Sequence, residues 1–589
     1  MSDAHAVNAL DEALFYPGDD AEVDPGGRLV ADEPSKITGA IAVGQTRLLV
    51  TAAVFALAFL VVAARLIDVS VFDGAEESRL LVANAAVLPH DGARGDILDR
   101  NGALLATTLP SASLFADATL VPDADQAIAS LMTVLPDLDI EHAEEVLATD
   151  RRFVWLYRNL TPSQQFEVNR LGIPGLGFEE EDQRFYPAGP LAAHIVGFTD
   201  VDGNGLAGIE RTYDDMLGDE TATVGVSIDL RLQSLVRDEL SAAIEQFSAI
   251  GGVGLIMNAN TSELLAMVSM PDFDPYAPGG PEDESMFNRA TLGAYEMGST
   301  FKIFNTAIAL DSGAVSLRDG FGASQPIRIG RFTINDFHGE NRWLTVPEIF
   351  QYSSNIGSAR MAMAMGTDTQ REYMGRLGML TTPPIELGEV TAPLVPGRWN
   401  DVETMTISFG HGIAVSPIQL AAGVASVVNG GIYRPPSLAP GGSGEERRIF
   451  SEQTSDSMRR LMNLVVEGGT GRNANAEGYL VGGKTGTAEK PMGRRYSDDA
   501  LISSFIAAFP IHSPEYVIFV MLDEPHGTAE TYGYATGGWV AAPTVRRVIE
   551  RMAPMVGLAP FDPTDPAIVD ALALTDDVLD RGTVPAAPQ

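Results

Sequence analysis

Between Arg47 and Arg65 the chain reads LLVTAAVFALAFLVVAA, seventeen residues without a charge. Nothing else in the sequence restricts the fold so severely. With Thr46 before it, and Leu66 and Ile67 beyond a snorkelling Arg65, the run reaches the ~20 residues that cross a bilayer core. A buried soluble helix is rarely apolar on every face. A cleaved signal peptide needs a short basic lead, whereas residues 1–47 hold nine acidic side chains. The expectation is one transmembrane helix over residues 48–67, with a disordered arm over 1–47. Flanking charge leaves the orientation open, because Arg28, Lys36 and Arg47 precede the span and Arg65 and Arg79 follow it.

Composition narrows the class of the remainder. Apolar residues make up 45% and charged residues 20%, as in a globular chain, and 589 residues allow several domains. The formal net charge of −40 argues against a nucleic-acid partner, which calls for clustered cations. With no cysteine, disulfides, thiol catalysis and thiolate metal sites are excluded. The histidines show no paired metal-ligand spacing, so neither a metal nor a cofactor is expected.

Patterning divides the chain further. Residues 68–93 read as helix then loop. From 94 to 225 short apolar runs are broken by Gly, Pro and Asp, with one helical stretch near AEEVLATDRRFVWLYRNL. SIDLRLQSLVRDELSAAIEQF (227–247) is a capped amphipathic helix, and GVGLIMNANTSELLAMVSM is two strands around a turn. A helical middle leads to three strands, GGKTGTAEK, SFIAAFP and YVIFVMLDEP, and a helix near TVRRVIERM. Residues 556–589, rich in Pro, Ala and Asp, read as a disordered tail. Helices set within antiparallel strands predict an α+β domain over 226–555.

The chemistry is concentrated around lysine. Of 39 basic residues only Lys36, Lys302, Lys484 and Lys490 are lysines. Lys302 stands in EMGSTFKIF, flanked by Phe301, Ile303 and Phe304, where burial can strip its proton, as it cannot strip one from arginine. If Gly298 turns the chain into a helix there, Ser299 and Lys302 share a face and a neutral amine can activate the hydroxyl. In YSSNIGS, Ser353 can relay a proton, and the Asn355 amide both donates and accepts toward a peptide. In GGKTGT, Lys484, Thr485, Gly486 and Thr487 suit an open strand edge that grips a carboxylate and permits close approach. Singly, Ser-x-x-Lys, Ser-x-Asn and Lys-Thr-Gly are weak signals; in this order they are not a coincidence.

This trio resembles the penicillin-recognising serine transpeptidases and β-lactamases. RGDILDRNGALLA, with Arg94, Gly95, Asp99, Arg100 and Gly102, resembles the signature of the pedestal domain of class B penicillin-binding proteins. GNGLAGIERTYDDML, with Gly205, Gly208 and Glu210, resembles the segment that closes that pedestal. MPDFDP, FNRA, SFGHGIAVSPIQLA and GGWVAAP resemble stretches of the transpeptidase domain, and YEMGSTFKIF with RWLTVPEIFQYSSNIGSARMA is closer to the septal than to the elongation member. Two decoys lie here. GNGLAG fits a dinucleotide pattern but lacks a surrounding βαβ unit, and DVDGNG starts like a calcium loop but has Arg211 where a bidentate Glu belongs.

The resemblance implies a penicillin-binding transpeptidase domain, an antiparallel sheet flanked by helices, on an extended β-rich pedestal over 68–225. It implies that Ser299 attacks the carbonyl between two terminal D-alanines of a peptidoglycan stem peptide while Lys302 takes its proton. The backbone N–H groups of Ser299 and Thr487 would form the oxyanion hole. Ser353, linked to Lys302 and Lys484, would protonate the leaving D-alanine. Asn355 would orient the peptide amide, and Thr485 and Thr487 would hold the terminal carboxylate beside Gly486. β-Lactams would acylate the same serine. The bulk would lie outside the cytoplasmic membrane, with residues 1–47 inside. Partners would include division proteins, among them a polytopic peptidoglycan glycosyltransferase. Against this stand an elongation-specific role, a β-lactamase, a β-lactam sensor and a non-catalytic division scaffold.

Overall fold

The computed structural model describes residues 94–574 apart from 281–282, 331, 338, 443 and 493–494. The expected arm (1–47), membrane span (48–67), helix-then-loop stretch (68–93) and the end of the tail from 575 lie outside the described residues. Among the described residues no helix is long and apolar enough to cross a membrane.

The first sheet is assembled around one long strand. β1 (Asp96–Leu98) runs through a tight turn into β2 (Leu104–Ala116), and β2 pairs antiparallel with β1, β3 (Val154–Leu160) and β4 (Leu176–Phe185), while β5 (Thr223–Gly225) lies parallel on β1. β2 is buried near both ends and exposed about Pro110. Its start packs Leu105 into the main core, and its end packs Leu114 with Leu131, Leu135 and Leu156 in a separate small core. The single helical stretch expected over residues 143–160 is corrected here. A helix, Ile140–Leu147 capped by Asp139, ends first, and FVWLYRNL enters β3. The alternation of buried Val154 and Leu156 with half-exposed Trp155 and Tyr157 is the period-two pattern of a strand, and these β-branched and aromatic types favour it.

Two sequence motifs lock this layer, one to the domain that follows and one within itself. The Asp99 carboxylate accepts from the N–H groups of Asn101 and Ala103 through one oxygen, and its other oxygen accepts from Leu230 N–H at 3.2 Å. Leu230 begins α1 (Leu230–Phe247), whose N-cap is Asp229, so RGDILDRNG adds an acceptor at the start of the first helix of the following domain. Glu210 is fully buried between two arginines, Arg94 at 2.6 Å and Arg184 at 2.7 Å. The GNGLAG glycines serve this knot: a Cβ at Gly205 would sit 2.1 Å from Glu210 O. In DVDGNG one oxygen of Asp200 accepts from the N–H groups of Asp202 and Asn204, closing the turn on itself.

The larger sheet is all antiparallel, in the order Gly482–Met492, Arg495–Phe509, Tyr516–Asp523, Gly251–Asn258, Leu264–Met270. Its elements, in chain order with their helices, are β6 (Gly251–Asn258), β7 (Leu264–Met270), α2 (Lys302–Asp311), α3 (Asn355–Met365), α4 (Pro417–Val428), α5 (Glu452–Gly468), β8 (Gly482–Met492), β9 (Arg495–Phe509), β10 (Tyr516–Asp523) and α6 (Gly537–Met555). β10 reads YVIFVMLD because both its faces are covered. Val517, Phe519 and Met521 meet the helical layer around α4, whereas Ile518, Val520 and Leu522 meet α1 and α6. All twelve residues of α4 are buried, which explains a helix apolar on every face. β8 ends the sheet, so among the described residues no strand lies beside its outer edge.

The tail reading needs correction as well. Residues 556–574 carry α7 (Pro566–Leu572), started by Asp565 at the N-cap and Pro566 at the first position. It docks on α5, where Arg460 Nε donates to Ala571 O at 3.0 Å, and Leu572 and Leu574 pack on the core.

Candidate active site

Gly298 has φ +55°, and the chain turns there into one 3₁₀ turn, Gly298–Phe301, that runs directly into α2. Residues i and i+3 eclipse in a 3₁₀ turn. The Lys302 amine accordingly lies 2.9 Å from Ser299 Oγ. Phe301 and Phe304, both fully buried and packed edge to face at 5.4 Å, anchor this turn from below.

The second motif closes over the same amine. Lys302 Nζ reaches Ser353 O at 2.6 Å, Asn355 Oδ1 at 2.7 Å and Ser353 Oγ at 3.0 Å. Ser353 adopts φ +60°, a left-handed conformation that aims its carbonyl and hydroxyl together at the lysine. The next residue, Ser354, caps α3: its hydroxyl accepts from Gly357 N–H and donates to Asp336 Oδ2 at 2.7 Å. Asp336 also accepts from Ile356 N–H, fixing the turn from outside. Sequence reasoning passed over Asp336, since a lone aspartate in TINDFHG carries no signal.

The third motif supplies a second buried amine. Lys484 Nζ donates to Ser353 Oγ at 2.9 Å and stands 3.4 Å from Thr485 Oγ1. The Thr485 hydroxyl pairs with that of Thr470 at 3.0 Å, and Thr487 Oγ1 accepts from Gly537 N–H at the start of α6. Thr470 and Gly537 are further residues the sequence motifs did not single out for the site. Backbone segments are stacked closely here. A Cβ on Gly298 would stand 2.6 Å from Thr487 O, and one on Gly410, φ +81°, only 2.1 Å from Gly298 O. The turn bearing Ser299 is thus pressed between the open edge of β8 and the Gly410 loop.

Electrostatics follow from this enclosure. Both lysines are fully buried. Burial, then the neighbouring Lys484 charge, holds the Lys302 pKa well below that of a free lysine, with Asp336 opposing. Burial lowers Lys484 to about 7. The partners of Lys302 fit a neutral amine. Ser353 O and Asn355 Oδ1 can only accept, which uses two N–H bonds and turns the lone pair toward hydroxyls able to donate. An oxygen nucleophile, a neutral base and a hydroxyl relay to a second amine suit acyl transfer through a serine ester.

Comparison with known proteins agrees with this geometry. Residues 252–550 match the family described as penicillin binding protein transpeptidase domain, and residues 89–229 match the penicillin-binding protein dimerisation domain. The chain is 43% identical over 484 residues to the "Probable peptidoglycan D,D-transpeptidase FtsI" of Caulobacter vibrioides, covering 80% of this chain and 82% of that one. It is 32% identical over 491 residues to the peptidoglycan D,D-transpeptidase FtsI of Escherichia coli K12, covering 76% and 81%. Among solved structures, penicillin binding protein 3 of Mycobacterium tuberculosis complexed with aztreonam superposes with a TM-score of 0.64 at 25% identity, covering 80% of this chain and 98% of that one.

Proposed function

The chain belongs to the class B penicillin-binding proteins, and from that premise we propose that it is a peptidoglycan D,D-transpeptidase working through an acyl-enzyme on Ser299. One observation supports this above others: a fully buried lysine amine 2.9 Å from the serine hydroxyl.

The reaction follows from the contacts. Lys302 takes the Ser299 proton as Oγ attacks the carbonyl between the terminal D-alanines of a stem peptide. The N–H groups of Ser299 and Thr487, on segments in contact through Gly298, stabilise the oxyanion, a term of roughly 3 kcal/mol per donor. The C–N bond breaks as a proton passes through Ser353 to the departing amine, leaving free D-alanine and an ester on Ser299. Thr485 and Thr487 hold the terminal carboxylate, with the Lys484 charge behind them, and Gly486 leaves room for the peptide. Asn355 orients the scissile segment. An amine of a second stem then attacks the ester, the crosslinking amide forms, and Ser299 recovers its proton. A β-lactam opens on the same oxygen and stays attached.

A septal role is the fitting biological setting, supported by the motif resemblance and by the name FtsI borne by relatives. Residues 48–67 anchor the chain in the cytoplasmic membrane with the arm inside, because the substrate lies outside. Residues 68–225 form the pedestal, with the Arg94–Glu210 knot and the Gly95, Asp99, Arg100, Gly102 turn as its frame, and residues 226–555 the transpeptidase. The span and pedestal dock division partners, including a polytopic glycosyltransferase. Two experiments test the reading. Fluorescent penicillin should label the wild type and fail to label Ser299→Ala. Depletion should give long filaments; rounded cells would instead indicate lateral-wall synthesis.

A further inference from the structure

The second motif leans on a short hairpin, Ile327–Ile329 paired antiparallel with Phe332–Ile334. Ile327, Ile329 and Ile334 pack on Ala359 of α3 and on Met405 and Phe409, the last of which precedes Gly410. The hairpin is therefore held both by the helix of the second motif and by the loop that presses on Gly298. Asn335 and Asp336 follow it directly, and these two residues close on Asn355.

Asn335 O accepts from Asn355 Nδ2 at 3.0 Å. A carbonyl can only accept, so this bond decides which end of the amide faces which way, and it leaves Oδ1 to Lys302 Nζ at 2.7 Å. Asp336 binds the residues on either side of Asn355. Its Oδ2 accepts from the Ser354 hydroxyl at 2.7 Å, and its Oδ1 accepts from Ile356 N–H at 2.9 Å. Those bonds alone do not call for a charge, because an asparagine could accept one and donate in the other. Yet Asp336 is half-buried and makes no ion pair among the described residues. Arg342, six residues on, is held instead by Glu348 at 2.8 Å and Glu340 at 3.8 Å.

The unpaired carboxylate bears on the amine beyond the turn. As Nζ takes the proton from Ser299 Oγ it becomes an ammonium. Burial and the Lys484 charge disfavour that ammonium, and Asp336 opposes them. The remaining ionisable group that faces it is His411 from the loop after Gly410, with Glu296 and Glu489 near it, and burial keeps this histidine toward its neutral form. We propose that Asp336 is a positioning residue for acylation: with Asn335 it turns the Asn355 amide oxygen onto Lys302, and its carboxylate is the counter-charge that lets the buried amine accept the Ser299 proton. This inference rests on the acyl-transfer reading of Ser299.

The test uses full-length protein in detergent and the second-order rate of benzylpenicillin acylation across pH, with Tm recorded. Asp336→Asn is nearly isosteric, keeps an acceptor for Ile356 N–H and removes the charge. Its plateau rate should fall by about tenfold, the scale of a slightly displaced catalytic group. Its acid limb should move to lower pH, because Lys302 then gives up its proton more readily. On that limb the rate relative to its own plateau should rise about fivefold, the scale of one partly screened charge. Asp336→Glu keeps the charge and changes the reach, so its plateau should fall while its acid limb stays with the wild type. A purely structural role lowers the rate alike at every pH, so an acid limb of Asp336→Asn that stays in place or moves to higher pH would overturn the assignment. An equal shift in Asp336→Glu, or a wild-type plateau in both variants, would overturn it too. No acylation of the wild type would instead overturn the reading of Ser299 beneath it.

Discussion

Lys302 and Lys484 share a single oxygen: the Ser353 hydroxyl lies 3.0 Å from one amine and 2.9 Å from the other. Two fully buried ammonium groups so placed would repel, and desolvation already disfavours each charge. The arrangement therefore favours one neutral amine and one cation. Lys302, whose charge is disfavoured both by burial and by the neighbouring Lys484, is the neutral one. The shared hydroxyl connects the neutral amine to the charged one.

Removing that oxygen should cost rate and leave the fold. Ser353→Gly suits the φ of +60° at this position, so the backbone stays unstrained and its carbonyl still faces Lys302. We expect the second-order rate of benzylpenicillin acylation to fall by about 10²-fold, the scale of a lost proton-transfer partner. Stopped-flow acylation checks this, and near wild-type rates would remove Ser353 from the path.

The pH dependence should report both amines. Lys302 acts as a base when neutral, so acylation rises with pH through its lowered pKa, well below the value for free lysine. Lys484 acts as a cation and loses its proton above about 7, so the rate declines on the alkaline side. Lys484→Arg keeps the charge throughout and should abolish the alkaline decline, whatever it does to the maximum. A pH–rate profile of both proteins decides the point.

The buried knot should matter to stability and little to chemistry. Glu210 is fully buried and pairs with Arg94 and Arg184, whose side chains are 9% and 5% exposed, while Asp214 is a second partner of Arg94 at 2.7 Å. Glu210→Gln leaves Arg184 without a carboxylate partner and Arg94 with Asp214 alone, at a cost of about 3–5 kcal/mol. Thermal unfolding should show a clear drop in Tm, while the folded fraction keeps its rate of penicillin labelling.

Two glycines with similar backbones separate strain from crowding. Gly313 (φ +70°) and Gly410 (φ +81°) both carry the left-handed penalty, but a Cβ at Gly313 meets nothing within 4 Å, whereas one at Gly410 meets Gly298 O at 2.1 Å. Gly313→Ala should cost about 1 kcal/mol and leave labelling intact. Gly410→Ala should displace the Ser299 turn and reduce labelling by at least about tenfold, measured by gel fluorescence against time.

The three motifs were legible because each concentrates chemistry-bearing residues within a few positions, and the strands and helices about them because their apolar periods are regular. The sequence could not show what long-range contact creates. Asp336 matters through a turn twenty residues away, Thr470 through Thr485, and Gly410 through the backbone of Gly298. FVWLYRNL was misread because it follows a real helix without a proline or glycine to mark the change. α7 was missed because its Pro-Ala-Asp text resembles a linker, although Asp565 and Pro566 are a sound helix start.

The central claim is that an unprotonated amine at position 302 makes Ser299 reactive. Lys302→Arg replaces it with a guanidinium that remains protonated at any working pH. The direct measurement is the second-order rate of fluorescent penicillin labelling for this variant, with Tm recorded to verify folding. The account predicts a folded protein whose labelling falls by about 10³-fold or more; labelling at the wild-type rate would contradict it.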